Sequence, residues 1–444
     1  MPEPTDRQRR LGWYAFDWAS QPFHTLLLTF IFAPYLKELL DDGDRAQALW
    51  GYTVGAAGLV VALAAPVLGA VADAAGGRVR FVAVFSVLYM AGAAALWPAA
   101  PGAPSLALVL PALAVGILGV EFATIFTNAL LPTLGPRAAL GRISGTGWAL
   151  GYAGGVLALA LVLTFLAEDG ESGRTLAGLS PAFGLDPAAR EGTRAAGPVT
   201  ALWYALFMIP FFLWVRDPRR AGAGVASAAR GSLPAVARSL ARLPGERGLT
   251  AFLAASMLYR DALAGIYIFG GIYAAGMLGW SAAQVGLFGI LAAVSGALFA
   301  WIGGVADSRL GPKPVIVTCL IALLAAVAAL PFLSRGAVFT VAVPAGSALP
   351  DIAFYVVGAV VGAAGGAVQA ASRTMMVRQA LPGRMTEGFG LYALAGKMTA
   401  FIAPLSVGLM TDLTGSQPLG ILPILALLIV GLWLMRAVGA AGRG

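Results

Sequence analysis

Six ionisable side chains stand inside long apolar runs of this 444-residue chain: Asp17, His24, Glu121, Arg260, Asp261 and Lys397. Each costs roughly 2.5–3.5 kcal/mol to insert into hydrocarbon, so such groups face a cavity or a partner and mark routes for ions or polar solutes. Asp17, Gln21 and His24 are spaced i, i+4, i+7 and therefore share one helix face. Glu121 and Asn128, seven apart, share another. Carboxylates and the single imidazole are groups that can accept and release protons. Arg260 and Asp261 are neighbours whose side chains leave a helix roughly 100° apart, so they do not pair well with each other. Gln369 and Arg373 add a polar pair at i, i+4, and Lys397 adds a further cation. Carboxylates and cations together suit a small zwitterionic solute moved with protons. The plainer alternative also stands: His24 as a helix–helix hydrogen-bonding residue, Arg373 as an anchor at a membrane edge.

These residues need membrane-spanning helices to hold them. The chain is 59% hydrophobic and 11% charged, with a mean hydropathy of +0.83, whereas a soluble domain carries about 25% charged residues. Runs of the ~17–25 apolar residues that a span requires occur at 11–36, 49–72, 81–99, 105–130, 143–166, 198–215, 249–276, 282–306, 314–333, 350–377, 387–411 and 419–436. Most of the 29 Lys and Arg lie in alternate connections, while Asp41, Asp42, Asp44, Glu168, Asp169 and Glu171 lie in the others. The bias places both termini in the cytoplasm. A basic connection, 216–248, separates six spans from six, and its segment 233–243 reads as a basic amphipathic helix lying on the membrane surface or as a solvated linker. The expected organisation is an all-α polytopic membrane protein. Residues 1–215 form one six-helix bundle, 216–248 a cytoplasmic linker, and 249–444 a second bundle.

A repeat supports the two halves. Gly69 to Asp73 reads GAVAD and Gly303 to Asp307 reads GGVAD, each at the end of an apolar run and each followed by glycine and a basic residue. Glycine permits a tight turn there, and the Asp can cap a neighbouring helix or pair with Arg78 or Arg80. Asp73, Arg78, Arg142 and Asp307 are accordingly the candidate residues of a cytoplasmic gate. A loop-ordering Asp without a gating role is the alternative.

The repeated Gly-x-Val-Ala-Asp loop resembles the signature of the major facilitator superfamily, although Ala74 stands where a basic residue is usual. Three stretches narrow the resemblance: YAFDWASQPFHTLLLTFIFAPY (14–35), NALLPTLGPRAALGRISGTGWALGYAGG (128–155) and GGAVQAASRTMMVRQALPGRMTEGFGLYALAGKMTAFIAPLSVG (365–408). They resemble the vacuole-effluxer-like branch, also called the unknown major facilitator family. The resemblance covers nearly the whole chain. It implies the two-bundle fold, a central pathway lined by spans 1, 4, 7 and 10, and, through fungal members, amino-acid export.

Other classes fit poorly. Aromatic-interleaved basic patches for nucleic acid are absent, and no Gly-x-x-x-x-Gly-Lys-Ser/Thr stretch is present to cradle ATP. Cys319 is the only cysteine, and one cysteine with one histidine offers no metal set or nucleophile–base pair. The expectation is a secondary transporter, not an enzyme. It needs no cofactor or metal, works as a monomer in a bacterial cytoplasmic membrane, and partners lipid, protons and a small solute but no nucleic acid. A non-transporting sensor of the same fold is the rival.

Overall fold

The computed structural model describes residues 3–40, 43–102, 105–170, 172–217, 225–280, 282–339, 341–344, 346–380 and 383–439. Asp41, Asp42 and Glu171 of the acidic connections, Leu381-Pro382 of the third family-like stretch and 218–224 of the expected linker lie outside them.

The chain opens with α1 (Asp6–Pro22), whose start is written in the sequence. Thr5 Oγ1 accepts the Gln8 N–H at 3.3 Å while Gln8 Oε1 accepts the Thr5 N–H at 2.9 Å, a reciprocal cap on the first turn. α1 runs into a π-helical segment, Phe23–Phe30, and then α2 (Phe32–Leu40). Then come α3 (Gly43–Ala75), α4 (Arg78–Ala94), α5 (Leu106–Ala129) and α6 (Leu140–Phe165). Short α7 (Glu191–Arg194) leads into α8 (Ala196–Phe207) and α9 (Ile209–Trp214). The basic α10 (Val225–Arg242) precedes α11 (Arg247–Leu278), α12 (Ala282–Leu310) and α13 (Pro312–Ala329). A small antiparallel ribbon of β1 (Leu333–Ser334), β2 (Ala337–Val338) and β3 (Val341–Ala342) then leads to α14 (Leu349–Gln379). Helices α15 (Met385–Met398), α16 (Ile402–Thr414), α17 (Gln417–Gly420) and α18 (Leu422–Leu434) complete the described chain.

Among the described residues, 11 helical runs are long and apolar enough to cross a membrane. The expected third span is α4, whose 17 residues cover about 25 Å at ~1.5 Å per residue. Residues 233–243, expected as an amphipathic surface helix or as a solvated linker, fall at the end of the helix α10, which begins earlier, at Val225. Glycines set the turns: Gly76 and Gly77 (φ +71° and +75°) between α3 and α4, and Gly311 (φ +87°) between α12 and α13, occupy backbone regions that favour glycine.

Two expectations need correction. Span 11 is not one helix, because α15 stops at Met398 and α16 starts at Ile402. Pro404 in the first turn of α16 lacks an N–H, and its ring clashes with the carbonyl four residues back, at Ala400. The stripe Asp17, Gln21, His24 is also not carried on a uniform α-helix, since the π-helical turn begins at Phe23, directly after Pro22. Pro22 leaves the Trp18 carbonyl without its helical donor, and the indole N–H of Trp203 takes that place at 3.3 Å.

The chain forms two compact units, residues 1–134 with 150–231, and residues 135–149 with 232–444. In the first, α4 packs closely on α5. A Cβ at Gly92 would lie 2.3 Å from the Gly116 nitrogen, and one at Gly119 would lie 2.3 Å from the Tyr89 nitrogen. The core beside them is aromatic: Tyr89 and Tyr204 stack at 4.0 Å, and Ser86 Oγ bonds Tyr204 Oη at 2.8 Å. In the second, α12 and α14 meet through Gly362 and Gly366, where an added Cβ would come within 2.1 Å of the Ala292 oxygen and 2.3 Å of the Gly296 oxygen. Such small-residue contacts replace the hydrophobic drive that lipid removes.

Candidate functional site

In the first unit, α1 is pinned to α5 by the indole N–H of Trp13, which donates to the Thr127 carbonyl at 2.8 Å. Asp17 is buried, and Gln21 and His24 are half-buried. A row of glycines on α6 lies against this stripe. A Cβ at Gly151 would come 3.5 Å from Asp17 Cβ, one at Gly154 would come 2.6 Å from the Trp18 oxygen, and one at Gly155 would come 2.6 Å from Thr25 Oγ1 and 2.8 Å from Gln21 Cγ. The missing side chains let α6 approach the polar face directly. Thr25 and the glycine row were not singled out from sequence, though Gly151, Gly154 and Gly155 stand within the second family-like stretch. His24 falls in the π-helical turn, and its carbonyl accepts from Thr29 Oγ1 at 2.8 Å, five residues on. π-Helical turns inside helices frequently occur at functional sites. Glu121 and Asn128 lie on α5, both half-buried.

Arg78 Nη2 bonds Asp73 Oδ1 at 2.9 Å, and its Nη1 lies 3.6 Å from Asp217 Oδ1. The Arg78 backbone N–H also donates to Asp217, so this acid caps the N-terminus of α4 while sharing the guanidinium. Asp217 was not anticipated. Its signal is an acid between Arg216 and Pro218 in an arginine-rich connection.

In the second unit, Arg260 and Asp261 address the two halves of the broken span. Arg260 Nη1 donates to the Tyr392 carbonyl at 3.1 Å, and the guanidinium lies 4.4 Å from the centroid of the Tyr392 ring, on α15. Gly396 makes room, since a Cβ there would lie 2.4 Å from Arg260 Nη1. Asp261 is 3% exposed, and its Oδ2 accepts the Ala403 N–H at 2.9 Å. Ala403 is in the first turn of α16, whose N–H groups have no helical partner, so the carboxylate caps a helix that starts inside a span. Asp261 Oδ1 has no hydrogen-bond partner. Lys397 is in the last turn of α15, beside the break.

Residues 141–148 also belong to this unit and pack on α12 and α14. Ser144 Oγ donates to the Ala370 carbonyl at 2.8 Å, and the Arg142 N–H donates to Ser308 Oγ at 2.7 Å. A Cβ at Gly141 would lie 2.6 Å from Asp307 Cβ. Asp307 is 1% exposed and accepts a short hydrogen bond from Thr374 Oγ1. Arg373 is 5% exposed, with its guanidinium 5.3 Å from the centroid of the Trp148 ring. Gln369, one residue before Ala370, is half-buried. The two family-like blocks, far apart in sequence, are therefore in direct contact. Among the described residues no group of three or more His, Cys, Asp or Glu could hold a metal.

The fold matches a major facilitator superfamily transporter, FucP, in its outward conformation (TM-score 0.73, 16% identity, 97% of this chain and 98% of that one). It also matches the human organic anion transporter MFSD10 (TM-score 0.69, 16% identity, 98% and 100%). The chain is an integral membrane protein with the major facilitator fold, a transporter and not an enzyme. In sequence it is 22% identical over 436 residues to an uncharacterised MFS-type transporter, YxiO, of Bacillus subtilis (96% of this chain, 94% of the relative). It is 28% identical over 251 residues to autophagy-related protein 22 of Coccidioides immitis (52% and 40%). Residues 136–442 match the family model described as vacuole effluxer Atg22 like, and the chain belongs to that family.

Proposed function

We propose that the chain is a secondary active transporter that moves a small polar solute, of amino-acid class, by proton-coupled alternating access. The observation that carries the reading is the Arg260–Asp261 pair: a half-buried cation and a buried carboxylate, adjacent in sequence, engage opposite sides of a break in span 11. Discontinuous helices at mid-membrane are how many transporters build solute and ion sites from backbone groups. A carboxylate whose second oxygen has no hydrogen-bond partner can exchange a proton, and the guanidinium can hold a solute carboxylate. Asp17, Gln21, His24, Glu121, Asn128, Gln369, Arg373 and Lys397 supply further polar contacts along the route. Asp73, Arg78, Arg142 and Asp307 serve the cytoplasmic gate. Lys and Arg bias sets both termini in the cytoplasm, and the chain works as a monomer in a bacterial cytoplasmic membrane, in bundles 1–215 and 249–444 joined by 216–248.

The test is transport of radiolabelled amino acids by the purified chain in proteoliposomes under an imposed pH gradient. The expected result is accumulation that collapses with an uncoupler and is lost in Glu121→Gln and Asp261→Asn. No movement of any amino acid, or movement unchanged in both variants, would overturn the reading and favour the sensor alternative.

A further inference from the structure

Away from the polar route, the first unit holds an apolar groove of about 280 Å³. Leu161 and Phe165 of α6 line one side, Leu26 of the π-helical segment with Val199 and Trp203 of α8 the other, and Phe183 stands at its mouth. Its lining is hydrocarbon and aromatic ring throughout, which offers nothing to orient a polar solute.

Three features bear on what fills it. First, Trp203 cannot swing in to close the space. Its ring stacks on Trp18 at 5.8 Å and 20°, and its N–H is held by the Trp18 carbonyl that Pro22 leaves free. Second, Phe183 is 93% exposed and sits at φ +62°, followed by Gly184 at +71°. A bulky residue rarely adopts that backbone, and no internal packing accounts for it here. Leu176 and Leu179 on the same connection are exposed too. Third, the groove opens onto faces that a bilayer must cover. Leu157, Leu161 and Phe165 on α6 and Leu202 and Leu206 on α8 are all exposed, on runs long and apolar enough to cross a membrane. Lipid is therefore the medium that reaches the groove without a change of environment.

We propose that this groove binds one acyl chain of a bilayer phospholipid, with Phe183, Leu176 and Leu179 seated in the interfacial layer over it. Aromatic side chains favour that layer. The volume lies just below the range of ligand pockets, about 300–1,000 Å³, and suits a slender chain better than a folded ligand. Held there, the chain fills the gap beside the Trp18–Trp203 stack and so supports the π-helical turn that carries His24.

Native mass spectrometry of the purified full-length chain, delipidated and titrated with phosphatidylglycerol, tests this. The expected result is one lipid retained per chain. Leu161→Trp, which fills the groove, should cut that occupancy about tenfold or more, whereas Leu206→Trp, exposed but outside the groove, leaves it intact. Phe183→Ser, on an exposed connection where folding is not at stake, should lower it several-fold. The proposal is overturned if no phosphatidylglycerol is retained or if only detergent is. Retention unchanged in both Leu161→Trp and Phe183→Ser would also overturn it. So would a concentration-dependent dimer abolished by Phe183→Ser without loss of lipid, which would make the groove a contact between copies.

Discussion

Gly145→Val is the sharpest perturbation available. Gly145 faces α12 so closely that an added Cβ would lie 2.4 Å from the Ala300 oxygen, 2.7 Å from Gly304 Cα and 3.1 Å from the Gly304 nitrogen. All three are backbone atoms, so no side-chain rotation relieves the clash and α6 must lift off α12. Overpacking of this kind costs about 1–3 kcal/mol, and the rigid partners put Gly145→Val at the upper end. At about 2–4 °C per kcal/mol for units of this size, the midpoint of thermal unfolding should fall by roughly 6–12 °C. The chain carries its own reporter: Cys319 is the only cysteine and is buried, so a thiol-reactive fluorophore reads unfolding directly. Gly286→Ala, on α12 itself, is the control. A Cβ there meets nothing within 4 Å, and replacing a helical glycine by alanine stabilises by up to about 1 kcal/mol. A Gly145→Val midpoint within about 1 °C of the parent chain, with Gly286→Ala melting at or above the parent as expected, would refute the packing of 141–148 on α12 on which the magnitude rests.

Further outcomes follow from the same geometry. Asp261→Ala leaves the Ala403 N–H without its acceptor and should destabilise by about 1–3 kcal/mol, while Asp261→Asn keeps an acceptor oxygen and should melt within about 1 kcal/mol of the parent; both should abolish proton-driven accumulation, so transport by either variant would count against a role for the charge. Asp73→Asn weakens one of the two acids on Arg78 and should slow turnover more than it weakens solute binding, compared by initial rates and equilibrium binding; the reverse pattern would remove this cluster from the gate. Glu168 is buried, with Oε1 accepting the Thr193 N–H at 3.2 Å and lying 3.7 Å from Arg190 Nε, while Arg190 also pairs with Glu38 at 2.6 Å, so Glu168→Ala should cost about 1–3 kcal/mol by leaving the buried Thr193 N–H without its acceptor, read as a lowered unfolding midpoint with solute affinity unchanged.

What the sequence by itself determined is what is local. Hydropathy located the spans, because a helix in lipid must satisfy every backbone group within its own run of apolar residues. Glycines such as Gly76, Gly77 and Gly311 marked the turns, because positive φ is a property of one residue. Thr5 with Gln8 fixed the first helix start. The repeated Gly-x-Val-Ala-Asp marked Asp73 and narrowed its nearby basic partners to Arg78 or Arg80, of which the structure uses Arg78. The family-like stretches pointed to a family that the chain matches over residues 136–442.

Tertiary structure decided which distant groups meet. No periodicity in 141–148 announces that Ser144 will bond the Ala370 carbonyl or that Gly141 will lie on Asp307, because those partners are 226 and 166 residues away and close approach depends on the shapes of three helices at once. The indole of Trp203 reaching the Trp18 carbonyl is of the same kind. The break in span 11 stands between the two cases. Pro404 was visible, but membrane helices tolerate proline when neighbours re-satisfy the freed backbone. Asp261, 142 residues earlier, accepts the Ala403 N–H and stabilises the new helix start. A proline can open a helix on its own; that the opening lies beside a buried carboxylate and a half-buried guanidinium is a fact of packing.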